Sequence, residues 1–142
     1  ELRAFVKLHP ASTEARYHLG RALLRQRNWE AARETLRETV RLDPAYLEPR
    51  FALVSLAMAR RAYAQALQEA DTILDISPNN EIAQLNRMAA LRALGRFPEA
   101  HQILTALRKD NPQSPSLDLE LAFLHLTEGK PQQAEKLLRP LY

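Results

Sequence analysis

Thr13–Tyr46 reads TEARYHLGRALLRQRNWEAARETLRETVRLDPAY, and its two apolar rhythms decide the fold. Tyr17, Leu19, Gly20, Leu23 and Leu24 keep the three-to-four spacing of an amphipathic helix, which predicts a helix from Thr13 to Gln26. Ala32, Leu36, Thr39 and Val40 form a second stripe, which predicts another helix from Trp29 to Leu42. Asn28 stands where its side-chain oxygen would cap that second helix. Asp43-Pro44 ends it, because the residue before a proline is pushed out of the α region. Glu30, Glu34 and Glu38 alternate with Arg33, Arg37 and Arg41 at i, i+3 spacing, the pattern of a solvated, salt-bridged helix face.

Moving outward, the same stretch recurs. Pro10, Pro44, Pro78 and Pro112 are 34 residues apart each time, and so are Ala32, Ala66, Ala100 and Ala134. Trp29, Tyr63 and Phe97 keep the same phase, which breaks at Pro131. Three series in one register establish an internal repeat. Ser77-Pro78 and Asn111-Pro112 close later units as Asp43-Pro44 closes the first. Pro98 suits the first turn of a second helix, and Pro49 and Pro115 fall in the first turns of first helices, where a missing N–H costs little. Short turns between helices leave no room for a sheet crossover. An all-α chain of about eight helices follows, antiparallel to their neighbours and including a partial one at the start. A side chain larger than methyl at Ala32, Ala66, Ala100 or Ala134 would push one helix off the other.

The unit resembles the tetratricopeptide repeat, whose signature runs Trp-x2-Leu-Gly-x2-Tyr, then Ala-x3-Phe, then Pro. Thr13–Tyr46 matches best, with Leu19-Gly20, Leu23, Ala32, Leu36 and Pro44 in the signature slots. Leu47–Asn80 keeps Leu53, Ala66 and Pro78 but has Val54 in the Gly slot. Glu81–Ser114 keeps Leu91, Gly95, Ala100, Leu104 and Pro112, with Arg87-Met88 in place of Leu-Gly. From Pro115 onward, Leu121-Ala122, Gly129, Ala134 and Leu138 remain. The Trp slot holds Arg16, Arg50, Gln84 and Asp118. The resemblance implies one right-handed superhelical solenoid over 1–142, with full repeats at 13–46, 47–80 and 81–114. It also implies the end of a truncated repeat at 1–12 and an incomplete repeat at 115–142.

A helix pair cannot bury both its apolar faces alone, so stacking is obligatory. The chain opens at Glu1 rather than Met and stops at Leu141-Tyr142, which predicts a piece of a longer array. Leu2, Phe5 and Val6 at one end, and Leu137, Leu138, Leu141 and Tyr142 at the other, then predict end-to-end self-association.

Composition narrows the chemistry. Hydrophobic residues make up 46% and charged residues 26%, and no apolar run approaches a membrane span. With no cysteine, disulfides and thiolate metal sites are excluded, and the compartment stays open between cytoplasm and periplasm of a bacterial-type cell. His9, His18, His101 and His125 fall in different units with no ligand-spaced neighbour, so each is read as exposed or internally satisfied. There is no G-x-S-x-G, no phosphate-cradling glycine loop and no cysteine nucleophile. Neither catalysis nor a cofactor or metal is expected.

In the family the first helices line the concave face where partners lie. Tyr17, Phe51, Leu85 and Leu119 share one slot on those helices. Arg21, Ser55, Ala89 and Phe123 share the slot one turn on, and Leu24, Met58, Arg92 and Leu126 the next. Leu24 and Leu126 are read as core between helices, and the rest as an apolar strip that holds a peptide or helix. Asn86 is placed to hydrogen-bond a partner backbone, and Arg21 and Arg92 to pair with its carboxylates. First-helix segments 12–27, 47–61 and 81–96 carry ten Arg and three Glu, whereas 28–43, 62–77 and 97–111 carry five basic and nine acidic residues. Asp118, Glu120 and Glu128 reverse the trend at the end, which predicts an oriented, partly acidic partner. The co-chaperone carboxylate clamp matches only at Arg21 and Asn86 among Tyr17, Arg21, Ala52, Ile82 and Asn86, so a chaperone tail is not the expected ligand.

The leading expectation is a protein-interaction scaffold. Two alternatives are a substrate-recruiting segment of a larger enzyme and a helical-repeat RNA reader. The strict 34-residue period and the apolar slot argue against the RNA reader, which typically uses 35-residue units with polar base-reading positions.

Overall fold

The first helix of the best-matched repeat starts where Ser12 accepts a hydrogen bond from the Ala15 N–H, and its turn-by-turn apolar face lies on the helix that follows. The computed structural model describes residues 1–141. It contains α1 (Leu2–Leu8), α2 (Thr13–Arg25), α3 (Trp29–Leu42), α4 (Leu47–Ala59), α5 (Tyr63–Ile76), α6 (Glu81–Ala93), α7 (Phe97–Asp110), α8 (Pro115–Thr127) and α9 (Pro131–Leu138), then a 3-10 turn at Arg139–Leu141. Among the described residues there are nine α-helices and no strand, one helix more than expected. Pro131, which breaks the aromatic series, starts α9 from its first turn rather than preventing it.

The helices form two compact units, one spanning Glu1–Pro78 and one beginning at Asn79. In the first unit α2 packs on α3, α3 on α4 and α4 on α5; α1 leans on α2, and α4 also touches α2. In the second, α6 packs on α7, α7 on α8 and α8 on α9. The architecture is an all-α array of repeated helix pairs.

Each pair closes at the predicted alanine. Ala32, Ala66, Ala100 and Ala134 are all fully buried, with Leu36, Ile73, Leu91, Leu104 and Leu124 around them in the two cores. Gly20 shows why the signature wants a small residue beside them. A Cβ there would lie 2.8 Å from Leu36 Cδ2. The same slot in later units holds Val54, Met88 and Ala122, all buried, so each unit fits a different volume into the one position.

The turns inside the pairs overturn one expectation. Asn28 makes no side-chain cap; its backbone N–H instead reaches back to the Leu23 carbonyl, while the Arg27 N–H reaches Leu24. This pair of bonds is a Schellman closure, which requires the residue between helices to take a left-handed conformation. Arg27, Arg61, Gly95 and Gly129 do so, with φ of 57°, 58°, 73° and 76°. Ala62, Arg96 and Lys130 repeat the Asn28 backbone bond. A side-chain cap is therefore not needed at these starts, and the true caps are Ser12, Asn80 and Ser114 at the first helices.

The Trp slot is refilled by polar bonds. Arg16 donates to the Pro10 carbonyl at 2.7 Å and Arg50 to the Pro44 carbonyl at 3.2 Å, tying each first helix to the proline that precedes it. Asp118 takes Arg108 at 2.8 Å instead. On the outer surface Glu30 pairs with Arg33 and Glu38 with Arg41 as expected; Glu34 and Arg37 form no pair among the described residues.

Candidate functional site

In the first unit the candidate face comprises Tyr17 and Arg21 on α2 and Phe51, Ser55 and Met58 on α4. None is buried: Arg21 and Ser55 are exposed, the others half-buried. Tyr17 is held edge-on by the Tyr46 ring, with centroids 5.4 Å apart, and the Arg21 guanidinium lies 5.7 Å over its face. Tyr46 occupies the position at which Ser12, Asn80 and Ser114 cap their helices, and it makes no cap. Its ring supports Tyr17 instead. Arg21 forms no ion pair among the described residues, so its charge faces outward.

In the second unit Leu85, Asn86, Ala89 and Arg92 lie on α6, and Leu119 and Phe123 on α8. Phe123 is 56% exposed and Leu119 is also open, while the α6 residues are half-buried. Arg92 differs from Arg21. It reaches Glu120 on α8 at 3.3 Å, so its charge is already partnered inside the unit. Leu126, expected in the core, is 47% exposed and lines an apolar hollow with Pro131, Ala134 and Leu138. No helix of the described residues covers that side of it. Leu24 is half-buried.

The apolar ends are unevenly covered. Val6 is buried against α2, whereas Leu2, Phe5 and Leu8 of α1 are exposed. Leu137 and Leu138 are half-buried, and Tyr142 and the side chain of Leu141 lie outside the described residues.

A cleft of about 260 Å³ in the first unit lies off the candidate face. Arg33, Arg37, Arg60 and Glu69 line it between α3, α4 and α5. Glu69 sits 3.8 Å from Arg50, and burial pushes its carboxyl above the usual range although Arg50 and Arg37 pull the other way.

One constellation was invisible to local spacing. His101 Nε2 on α7 lies 2.7 Å from Glu128 Oε2, and His125 Nδ1 near the end of α8 lies 3.4 Å from the same oxygen. His101 and His125, each expected to be exposed or internally satisfied, thus meet each other and a carboxylate. The signal is three-dimensional: His101 and Glu128 are 27 positions apart. Glu128 is nearly buried, and burial alone would raise its carboxyl. Hydrogen bonds from His101 and Lys130, with their charges, more than offset this and leave it below the usual value.

Among the described residues no helix is long and apolar enough to cross a membrane.

Comparison with known proteins agrees with this architecture. Two profiles described as tetratricopeptide repeat match, one over residues 57–119 and 91–141 and the other over 1–46 and 19–81. No curated protein sequence matches the chain. Among solved structures, a tetratricopeptide repeat protein from Parabacteroides merdae superimposes with a TM-score of 0.85 at 18% identity. That match covers 99% of this chain and 55% of the other. MamA from Desulfovibrio magneticus, residues 41 to the end, gives 0.83 at 14% identity, over 98% of this chain and 78% of its own. Identities this low speak for the fold alone, whereas the repeat profiles run the length of the chain: it belongs to the tetratricopeptide-repeat family.

Proposed function

We propose that the chain is a non-catalytic interaction scaffold whose first-helix faces hold an extended or helical partner segment with acidic character. The family is one of protein-interaction scaffolds in general, and the finer reading rests on the candidate faces. The observation that carries it is Arg21: an exposed guanidinium, without an internal carboxylate, poised over a tyrosine that Tyr46 holds in place. A free cation on α2, with half-buried Phe51 and Met58 on α4 of the same unit, would combine a carboxylate fork with apolar anchors. Ser55 would bond the partner's backbone. In the second unit Leu85, Ala89, Leu119 and Phe123 would supply apolar contact and Asn86 a backbone bond, with Arg92 contributing less because Glu120 already holds it. The exposed Leu2, Phe5 and Leu8 of α1 offer a separate surface for self-association.

The test is affinity capture from a native lysate, followed by kinetics on the captured partner. Arg21→Glu is expected to slow association, most at low salt, with the difference fading as ions screen the charge. Phe51→Ala is expected to speed dissociation and to cost about 1–2 kcal/mol of binding as a lost anchor. If both variants retain the same partners with unchanged affinity and salt dependence, binding lies elsewhere and the face assignment fails.

A further inference from the structure

The second unit contains an arrangement that the repeat does not require. His125 occupies a slot that the other three repeats fill with Leu23, Ala57 and Leu91, all buried and apolar. At that slot the scaffold needs only volume. Here it has an imidazole whose Nδ1 is buried and makes no hydrogen bond, although it lies 3.4 Å from Glu128 Oε2. An unmet buried nitrogen costs free energy, so the fold alone gives no reason for it. His101 brings its Nε2 to the same carboxylate oxygen from α7, and the two rings stand 5.1 Å apart, tilted by 45°. The three donor atoms all lie within 4.8 Å of one another, on side chains that are 27%, 16% and 9% exposed for His101, His125 and Glu128.

The local backbone makes this geometry firm. Glu128 caps α8, Gly129 follows with φ of 76°, and the Lys130 N–H bonds back to the carbonyl of His125 itself. The Schellman closure thus pins two donors, three positions apart, on one turn, while α7 supplies the third. The carboxylate is also divided in its duties. Oε1 faces the Lys130 ammonium at 3.2 Å, and Oε2 faces both imidazoles.

We propose that His101 Nε2, His125 Nδ1 and Glu128 Oε2 form a three-donor site for a divalent transition-metal ion of the zinc class. Two imidazoles and one carboxylate suit Zn²⁺, Co²⁺ or Ni²⁺, and are too nitrogen-rich for Mg²⁺ or Ca²⁺. Bonds of about 2.0–2.2 Å in a tetrahedron place donors about 3.3–3.5 Å apart. His125 and Glu128 already stand at 3.4 Å, and the His101–Glu128 contact must open from 2.7 Å as the ion replaces the shared proton. The Nε2 atom of His101 must be free of a proton to bind, so the proton in the His101–Glu128 contact is displaced as the ion enters. The fourth position remains open to water or to a group from a partner. Among the described residues the Lys130 ammonium faces Glu128; it is half-exposed and can swing into solvent.

The experiment is a titration of the full chain with ZnCl2 by calorimetry, and with CoCl2 by visible absorption. Saturable one-to-one binding is expected, with the intense visible bands of tetrahedral Co²⁺ and a rise in unfolding temperature on adding Zn²⁺. His125→Leu restores the side chain of the equivalent repeat slots and therefore keeps the core filled. It should weaken Zn²⁺ binding by at least about tenfold, as should Glu128→Gln, whereas His18→Ala should leave it unchanged. Lys130→Ala should strengthen it by removing the competing cation. A circular dichroism spectrum matching the wild type confirms that each variant is folded. Absence of saturation by about 1 mM Zn²⁺ would overturn the proposal, as would binding that survives both His125→Leu and Glu128→Gln. Binding lost in His18→Ala but not in His125→Leu would place the ion elsewhere and overturn it equally.

Discussion

The two units make the same turn between paired helices with opposite residue choices. In the first, Arg27 and Arg61 hold the left-handed position; in the second, Gly95 and Gly129 hold it. The bonds around the turn are the same, with the next N–H reaching back to Leu23, Ala57, Leu91 or His125. The left-handed backbone is thus imposed by the closure and by helix packing, and glycine only makes it cheaper. A β-carbon at Gly95 would meet nothing within 4 Å, so the difference between the units lies in backbone strain, not space.

The largest expected effect probes what the units share. Ala66 and Ala100 occupy the same fully buried slot, one in each unit. Either one changed to Leu should cost about 1–3 kcal/mol by overpacking, in the same range in both units. Glu34→Leu, on the exposed side of α3, should stay within about 0.5 kcal/mol. Denaturant unfolding of the three variants measures this. A small cost at Ala100 beside a large one at Ala66 would show that the second unit's core is looser than its burial indicates.

A middle-sized effect probes what they do not share. Gly95→Ala should destabilise by about 1 kcal/mol, because a φ of 73° is costly for a residue with a β-carbon. Arg61→Gly should do the reverse, stabilising by about 0.5–1 kcal/mol as the strain of a non-glycine residue at 58° is relieved. Thermal unfolding reads both signs. Destabilisation by Arg61→Gly would mean that the Arg61 side chain makes a contribution larger than the strain it bears.

The same comparison shows how far a sequence can be read. The alanine, proline and aromatic series placed α3 at Trp29–Leu42 without error, because a buried methyl slot and a terminating proline are strictly local demands. Asn28 departs from the expected cap for the converse reason. Its residue type suits a cap, but its backbone belongs to the previous helix's Schellman closure, and the only clue was the glycine in phase at Gly95 and Gly129. On the candidate face the slots were legible but their freedom was not. Arg21 and Arg92 are both first-helix arginines in neighbouring slots, yet only the structure brings Glu120 onto Arg92. His125 and Glu128 stand three positions apart, but His101 lies on another helix, so no spacing rule that looks within one helix could have joined it to them.

The smallest expected effect concerns another pair of equivalent positions. The slot of Ile103 in α7 holds Glu69 in α5, where the first unit places a carboxylate beside Arg50 instead of an apolar side chain. Burial raises the Glu69 carboxyl above its ordinary value, against the pull of Arg50 and Arg37. A raised acid holds its proton in the folded chain at pH values where the unfolded chain has released it. Stability from this group therefore falls as pH climbs through the window above the ordinary carboxylate value, and returns as pH drops below it. Glu69→Gln removes that titration, and the pull of Arg50, which also donates to the Pro44 carbonyl, is already counted in the net raised value. The decisive quantity is then the change with pH, not the absolute difference. Relative to the wild type, Glu69→Gln should be more favourable at about pH 7 than at about pH 4, as unfolding free energies at the two pH values would show. The opposite trend would mean that the attraction of Arg50 outweighs burial, and that the ionised pair supports the first unit where Ile103 supports the second.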